Sequence, residues 1–263
     1  MSTISYGIDL SGYSSGKTAL VKAEKSENSI KLEIIEEHPF KNKRKGTDGI
    51  NVTKEEVNDF EKIIESGKLY IDVPIDLQGL PEPDNPEYIW QLTSRPVDRA
   101  FGALLPLADR IGACVSRFKY LLKRSGKEEE LGANLFETYP AASLKLMGLK
   151  NEKYKGNNGV VFIKYEWKAI GGDKKDENLA SILNSLGWRS SDNTKLNDDE
   201  FDAALCAIIG ISPENSRLQQ EELDKKINQL LNVNDCKFKS PDGYILLKEK
   251  SESVHIERIS HIS

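Results

Sequence analysis

Three short strand-like segments follow one another within the first 36 residues, separated only by turns. In ISYGIDL, residues 4–10, the apolar positions Ile4, Tyr6 and Ile8 alternate with smaller or polar ones. Residues 18–24 and 30–36 read as strands too, the first reached through the Ser/Gly-rich turn SGYSSGK and the second through SENS. No helix fits between them, so the pattern predicts an antiparallel three-stranded meander.

Beyond residue 50 the apolar period lengthens from strand-like to helical. Thr53 to Ser66 reads as a helix with a buried stripe of Val57, Phe60 and Ile64, a capping box between Thr53 and Glu56, and Gly67 as its stop. KLYIDV, residues 68–73, reads as a fourth strand ending at Pro74, and ANLFET, residues 133–138, as a fifth. Between them lies a Pro-rich acidic loop, then a long helical region from Ser94 to Arg124 interrupted at Pro106. Pro140 opens another helix, Leu179 to Leu186 reads as helical, Asn197 caps a helix over 198–209 with Glu200 at N3, and Pro213 to Leu231 is a charged amphipathic helix. SPDGYILLKE near the end reads as a turn and a closing strand. The expected fold is α/β: a five-stranded mixed sheet, meander plus parallel strands, with helices on both faces. It forms a single domain over 1–263, with a helical insertion at about 79–125 and a polar insertion at about 150–175.

Composition removes several function classes. At 38% hydrophobic and 30% charged residues the chain can bury a core. No apolar run approaches the ~18–20 residues that span a bilayer, and MSTISYGIDL lacks a signal-peptide pattern, so a cytoplasmic location is expected. Cys114, Cys206 and Cys236 lie far apart, which argues against a disulfide framework or zinc knuckle. The three histidines, His38, His255 and His261, have no zinc-ligand spacing, and the last two sit in a polar tail. Chemistry at a site must therefore come from Asp and Glu. A net charge of −5 counts against non-specific coating of duplex DNA, though not against a local basic groove.

The acids supply a pattern. Asp9 lies in the first strand, Asp72 in the fourth, Glu137 at the end of the fifth, and Asp199 and Asp202 are three apart on one helix face. Carboxylates in such apolar settings are costly unless paired or bound to a cation. A divalent Mg²⁺ or Mn²⁺ relieves their repulsion, needs only oxygen ligands, and in pairs activates water against a phosphodiester. Taken singly, a strand-end Asp reads as a turn residue, and Asp199 as a first-turn acid favoured by the helix dipole.

In order along the chain, GIDLSG, YIDVPIDL, LTSRPVDRAF, FETYPAASL, DDEFDAALCA and PDGYILL resemble the DUF429 family, a domain-of-unknown-function family predicted to be RNase H-like nucleases. The likeness runs from about Tyr6 to Leu247. DEFDAAL is also similar to the last helix of Holliday-junction resolvases, which share the RNase H-like fold. The resemblance implies Asp9, Asp72, Asp199 and Asp202 as metal ligands, with Asp72 standing where the resolvases carry Glu. Glu137 has no counterpart there; it is either a fifth acid that ligates or orients a water, or a holder of Arg95 or Arg99. The implied activity is metal-dependent hydrolysis of a nucleic-acid phosphodiester, with Lys17, Arg95 and Arg99 as substrate-binding or charge-stabilising groups. A protein partner or a second copy of the chain is compatible with the same reading.

Two other readings compete. One is a non-catalytic RNase H-like module that binds nucleic acid or a partner. The other is an ATP-dependent phosphotransferase of the actin-like fold, which also follows a first-strand Asp with a phosphate hairpin but needs two such domains. GYSSGKT is itself no P-loop: three residues separate its glycines where four are required, and a strand comes after it. The basic residues Arg110, Arg117, Lys119, Lys123 and Arg124 read as a solvated helix face. KNKRKG, with Lys41, Lys43, Arg44 and Lys45, is a candidate contact for a nucleic-acid backbone. Trp90 and Tyr139 are expected in the core rather than stacked on bases.

Overall fold

The computed structural model describes residues 3–12, 16–27, 29–41, 49–75, 95–101, 109–146, 188–190, 196–212, 220–231 and 254–260. The meander forms as expected: β1 (Thr3–Asp9), β2 (Ala19–Lys25) and β3 (Ile30–Ile35) pair antiparallel in sequence order. Then come α1 (Gly49–Ser66), β4 (Lys68–Ile71), α2 (Pro96–Phe101), α3 (Asp109–Ser125), β5 (Leu135–Glu137), α4 (Pro140–Leu146), β6 (Trp188–Ser190), α5 (Asp198–Ile211), α6 (Gln220–Leu231) and β7 (Val254–Ile259). β4 pairs parallel with β1, and β5 parallel with β4.

The sheet is larger than the five strands expected. β7 adds a sixth strand, parallel to β3, and the three-residue β6 extends that edge, giving the order β5-β4-β1-β2-β3-β7-β6. The supposed polar tail is therefore a strand. Val254 and Ile256 are buried while His255 is exposed, a period-2 pattern too short and too charged to stand out from the sequence. The expected closing strand at 240–249, the helix at 179–186 and the insertion at 150–175 lie outside the described residues.

Helices cover both faces, as expected. α5 packs on one face, against Val21, Leu32, Ile34, Tyr70 and Phe136. α1 and α3 pack on the other, where Phe60, Ile64, Val115 and Phe118 meet Tyr6, Ile8, Leu69 and Ile71. Strand alternation sorts the side chains: Tyr6 and Ile8 face α1 and α3, whereas Ser5, Gly7 and Asp9 face α5. A third cluster joins α2, α4 and α6 through Val97, Phe101, Tyr139 and Ile227. Tyr139 lies in it, edge-on to Phe101 with ring centroids 6.3 Å apart. Among the described residues no helix is long and apolar enough to cross a membrane.

Candidate functional site

Glycine decides where α5 lies. A Cβ on Gly7 would sit 2.0 Å from the Ala203 carbonyl oxygen and 2.4 Å from the Ala207 nitrogen, so the helix backbone rests directly on β1. A Cβ on Gly210 would sit 2.0 Å from Ser5 Oγ. α5 therefore runs antiparallel over β1, its last turn over Ser5 and its middle over Gly7. At 1.5 Å per helical residue and about 3.4 Å per strand residue, its first turn falls over the exit of β1. That exit is Asp9. Asp199 and Asp202 share the helix face of Ala203, Cys206 and Gly210, and Asp202 is buried.

Two features hold this first turn. Asn197 caps it as expected: its side chain accepts from Glu200 N–H at 3.0 Å, and Glu200 Oε2 accepts from Asn197 N–H at 2.9 Å. Arg258 of β7 then grips both oxygens of Glu200, at 2.8 Å each. Sequence reasoning missed Arg258, because nothing local links it to a residue 58 positions away.

β4 brings Asp72 beside Asp9. Ile8 is paired with Ile71, and Asp72 N–H donates to Ile8 O at 2.9 Å. Tyr70, two residues earlier, faces α5, so Asp72 points to the same face as Asp9. Like charges set side by side across neighbouring strands are unfavourable without a compensating cation or donor. Both carboxylates also act on Cys114 of α3, whose thiol is pushed up to about 11, by burial first and then by Asp9 and, less, by Asp72. Cys114 and Cys206 are buried thiols that form no disulfide, and Cys236 lies outside the described residues.

The four aspartates share one end and one face of the sheet, but no three-ligand cage forms there. Among the described residues, no group of three or more His, Cys, Asp or Glu side chains is so placed as to hold a metal ion. As donors the four are hard oxygen ligands of the kind Mg²⁺ or Mn²⁺ takes with several waters retained.

Glu137 and Arg95 differ more sharply from the expected roles. Glu137 is paired with Ile71, and alternation turns it away from the face that Asp9 and Asp72 share. It is buried and accepts from Arg95 Nη1 at 3.1 Å, Arg95 Nη2 at 2.8 Å and Ile75 N–H at 2.8 Å. Arg95 is only 2% exposed, and Asp98 takes its Nε and Nη2 at 3.0 and 2.9 Å. One carboxylate thus fastens both Ile75 and Arg95, which lie on either side of residues 76–94 in the chain. Of the two roles open to Glu137, the geometry fits the holding of Arg95. An arginine so enclosed has no surface to offer a substrate. Lys17 is exposed on the returning arm of the β1–β2 hairpin, and Arg99 is half-buried in α2.

Arg117 is the other correction. In place of a solvated face, α3 sends it into the protein at 1% exposure. Its Nη1 donates to Ser11 O at 2.7 Å and to Thr18 Oγ1 at 3.1 Å, and its Nη2 to Phe40 O at 2.8 Å and Glu56 Oε1 at 2.6 Å. Ser11 N–H also donates to Thr18 Oγ1 at 3.1 Å, so the hairpin that leaves Asp9 is closed at its base by one guanidinium. Glu56 is consequently a buried ion-pair partner and not part of a capping box, since α1 begins at Gly49. Lys43, Arg44, Lys45 and Trp90 lie outside the described residues.

His38, just beyond β3, is buried, and neither ring nitrogen has a hydrogen-bond partner among the described residues. Burial, reinforced by Lys41 and Arg117, holds its pKa down at about 3. The folded state therefore binds fewer protons than the unfolded one between that value and the usual ~6.5. Stability is fully present above about pH 6.5 and falls by roughly 1.4 kcal/mol per unit as the pH drops below it. His38→Phe should remove this part of the pH dependence. Urea titrations of both proteins at pH 7.5, 6 and 5 would check it; parallel loss of stability in the two would refute it.

Comparison with protein-family models, curated proteins and solved structures finds no match.

Proposed function

We propose that the protein is an RNase H-like, metal-dependent nuclease that hydrolyses a nucleic-acid phosphodiester at the Asp9 end of the sheet. The observation that carries this reading is the course of α5. Its D-x-x-D turn lies over the exit of β1, while β4 delivers Asp72 beside Asp9 on the same face. The strand order β5-β4-β1-β2-β3, a meander continued by two parallel strands, supports the fold assignment. Asp9 and Asp202 would hold Mg²⁺ or Mn²⁺, and Asp72 and Asp199 would complete the set. Such an ion, when bound, supplies an activated water and charge stabilisation. Glu137, in this reading, is a positioning residue: through Ile75 and Arg95 it fixes the chain that leaves β4 just past Asp72. Lys17 and Arg99 are the cations assigned to substrate phosphates.

The test is direct. Labelled single- and double-stranded DNA, RNA, hybrid and branched substrates are incubated with Mg²⁺ or Mn²⁺ and the wild-type, Asp9→Asn or Asp202→Asn protein. Wild-type cleavage should require metal, and either substitution should reduce it by more than about a hundredfold, beyond the range of outer-shell partners. The loose arrangement of the four acids also suits a non-catalytic module. Nucleic-acid binding without cleavage of any substrate would favour that second reading.

A further inference from the structure

We infer that the outward face of α3 is a docking track for the sugar-phosphate backbone of a single-stranded nucleic acid, an assignment that rests on the nuclease reading. α3 carries no acid after Asp109, although the chain as a whole has a net charge of −5. With Arg117 turned inward, Ser116, Lys119, Tyr120, Lys123 and Arg124 are exposed, at the helical spacing that makes one continuous stripe. Among the described residues, none of Lys119, Lys123 and Arg124 has a carboxylate partner, whereas Lys127, just beyond, is held by Glu65 at 3.0 Å. Tyr120 is 43% exposed, one of two large hydrophobic residues so placed among the described ones.

The stripe also leads to the right place. Ala113, one turn before Ser116 on the same face, abuts Gly12, where an added Cβ would come within 3.2 Å of the Ala113 Cβ. Gly12 is three residues beyond Asp9, and Lys17 is exposed on the same hairpin. From Ala113 to Lys123 the helix rises about 15 Å, room for two or three phosphates of an extended strand. Cations in a last helical turn complement the helix dipole, which accounts for Lys123 and Arg124. It accounts for neither Lys119 nor an exposed tyrosine between cations. An aromatic ring flanked by ammonium and guanidinium groups suits unpaired bases, which can stack, better than a closed duplex.

The test uses fluorescence anisotropy of a labelled oligothymidine and an oligouridine strand, in EDTA so that no cleavage intervenes. The triple variant Lys119→Glu/Lys123→Glu/Arg124→Glu should bind at least tenfold more weakly. Its dependence of log K on log salt should be shallower by about 2, from three lost contacts at ~0.7 each. Tyr120→Ala should weaken binding by about fivefold or more. Tyr120→Ala should leave the thermal midpoint close to wild type, and the triple variant should lower it by no more than a few degrees, from the lost complement to the dipole of α3, with the fold kept. If the wild type binds, the triple variant does not, and neither cleaves once Mg²⁺ or Mn²⁺ replaces the EDTA, the docking surface stands and the nuclease reading falls. If the wild type cleaves and the triple variant keeps both its affinity and its KM, the docking surface falls and the nuclease reading stands. Equal loss of binding to phosphatidylserine vesicles would also overturn it, by showing a surface for any polyanion.

Discussion

Replacing Gly7 by alanine is expected to lower stability by about 3 kcal/mol, the upper end for overpacking a close contact. In a strand, this exchange ordinarily favours alanine by ~0.5–1 kcal/mol, because glycine has more freedom to lose. Here the sign reverses. The new methyl would stand 2.0 Å from the Ala203 carbonyl oxygen and 2.4 Å from the Ala207 nitrogen. Both are backbone atoms of a helix that is buried from Glu200 onward, so no rotamer change makes room, and α5 must lift from β1. For a chain of this size the thermal midpoint should fall by roughly 6–12 °C. Gly112→Ala is the control. It lies within α3 with nothing inside 4 Å of the added carbon, and should stabilise by up to ~1 kcal/mol. Lifting α5 also separates Asp199 and Asp202 from Asp9, so any metal-induced rise in the midpoint should vanish in Gly7→Ala. A midpoint within a degree of wild type would show that α5 does not rest directly on β1.

Arg117→Met should cost about 3–5 kcal/mol, because it leaves the Glu56 carboxylate buried and uncompensated. It also removes the donors to Ser11 O, Thr18 Oγ1 and Phe40 O. The two losses are separable. Adding Glu56→Met should recover much of the stability, since the stranded charge is gone and a buried ion pair can be replaced by apolar side chains at little net cost. It should not restore the hairpin, whose acceptors remain without the guanidinium. Hydrogen exchange would show this as fast exchange at Ser11 and its neighbours in both variants, with the rest of the sheet recovering only in the double one. Equal protection of the hairpin in wild type and both variants would mean that Arg117 only balances Glu56 and does not shape the turn beside Asp9.

The two corrections among the cations share a cause. Arg95 and Arg117 sit in segments whose local pattern gives no sign of burial, and each is enclosed through a carboxylate from far along the chain: Glu137, 42 residues away, and Glu56, 61 residues away. Helical periodicity places a side chain on a face. It does not say whether that face meets solvent or a distant acid. The same ambiguity hid Arg258, which grips Glu200 across 58 residues.

Local chemistry determined a good deal. The turns after Asp9 and Lys25, with alternation on either side, fixed the meander, because strands joined so tightly can only pair antiparallel. The Asn197–Glu200 capping box fixed the start of α5, and Pro140 the start of α4, since these signals act within one helical turn. The positions of Asp9, Asp199 and Asp202 within their elements were legible for the same reason, whereas Asp72, expected inside the fourth strand, falls one residue past the end of β4. Tertiary structure alone decided that Gly7 lets α5 lie on β1 with its acidic turn over Asp9. It alone turned Glu137 away from that face, and it alone joined β7 and β6 to the sheet. Each of these is a contact between segments far apart in the chain. Its energy comes from burial and from hydrogen bonds that exist only once both partners are folded, so no short stretch of sequence carries its signature.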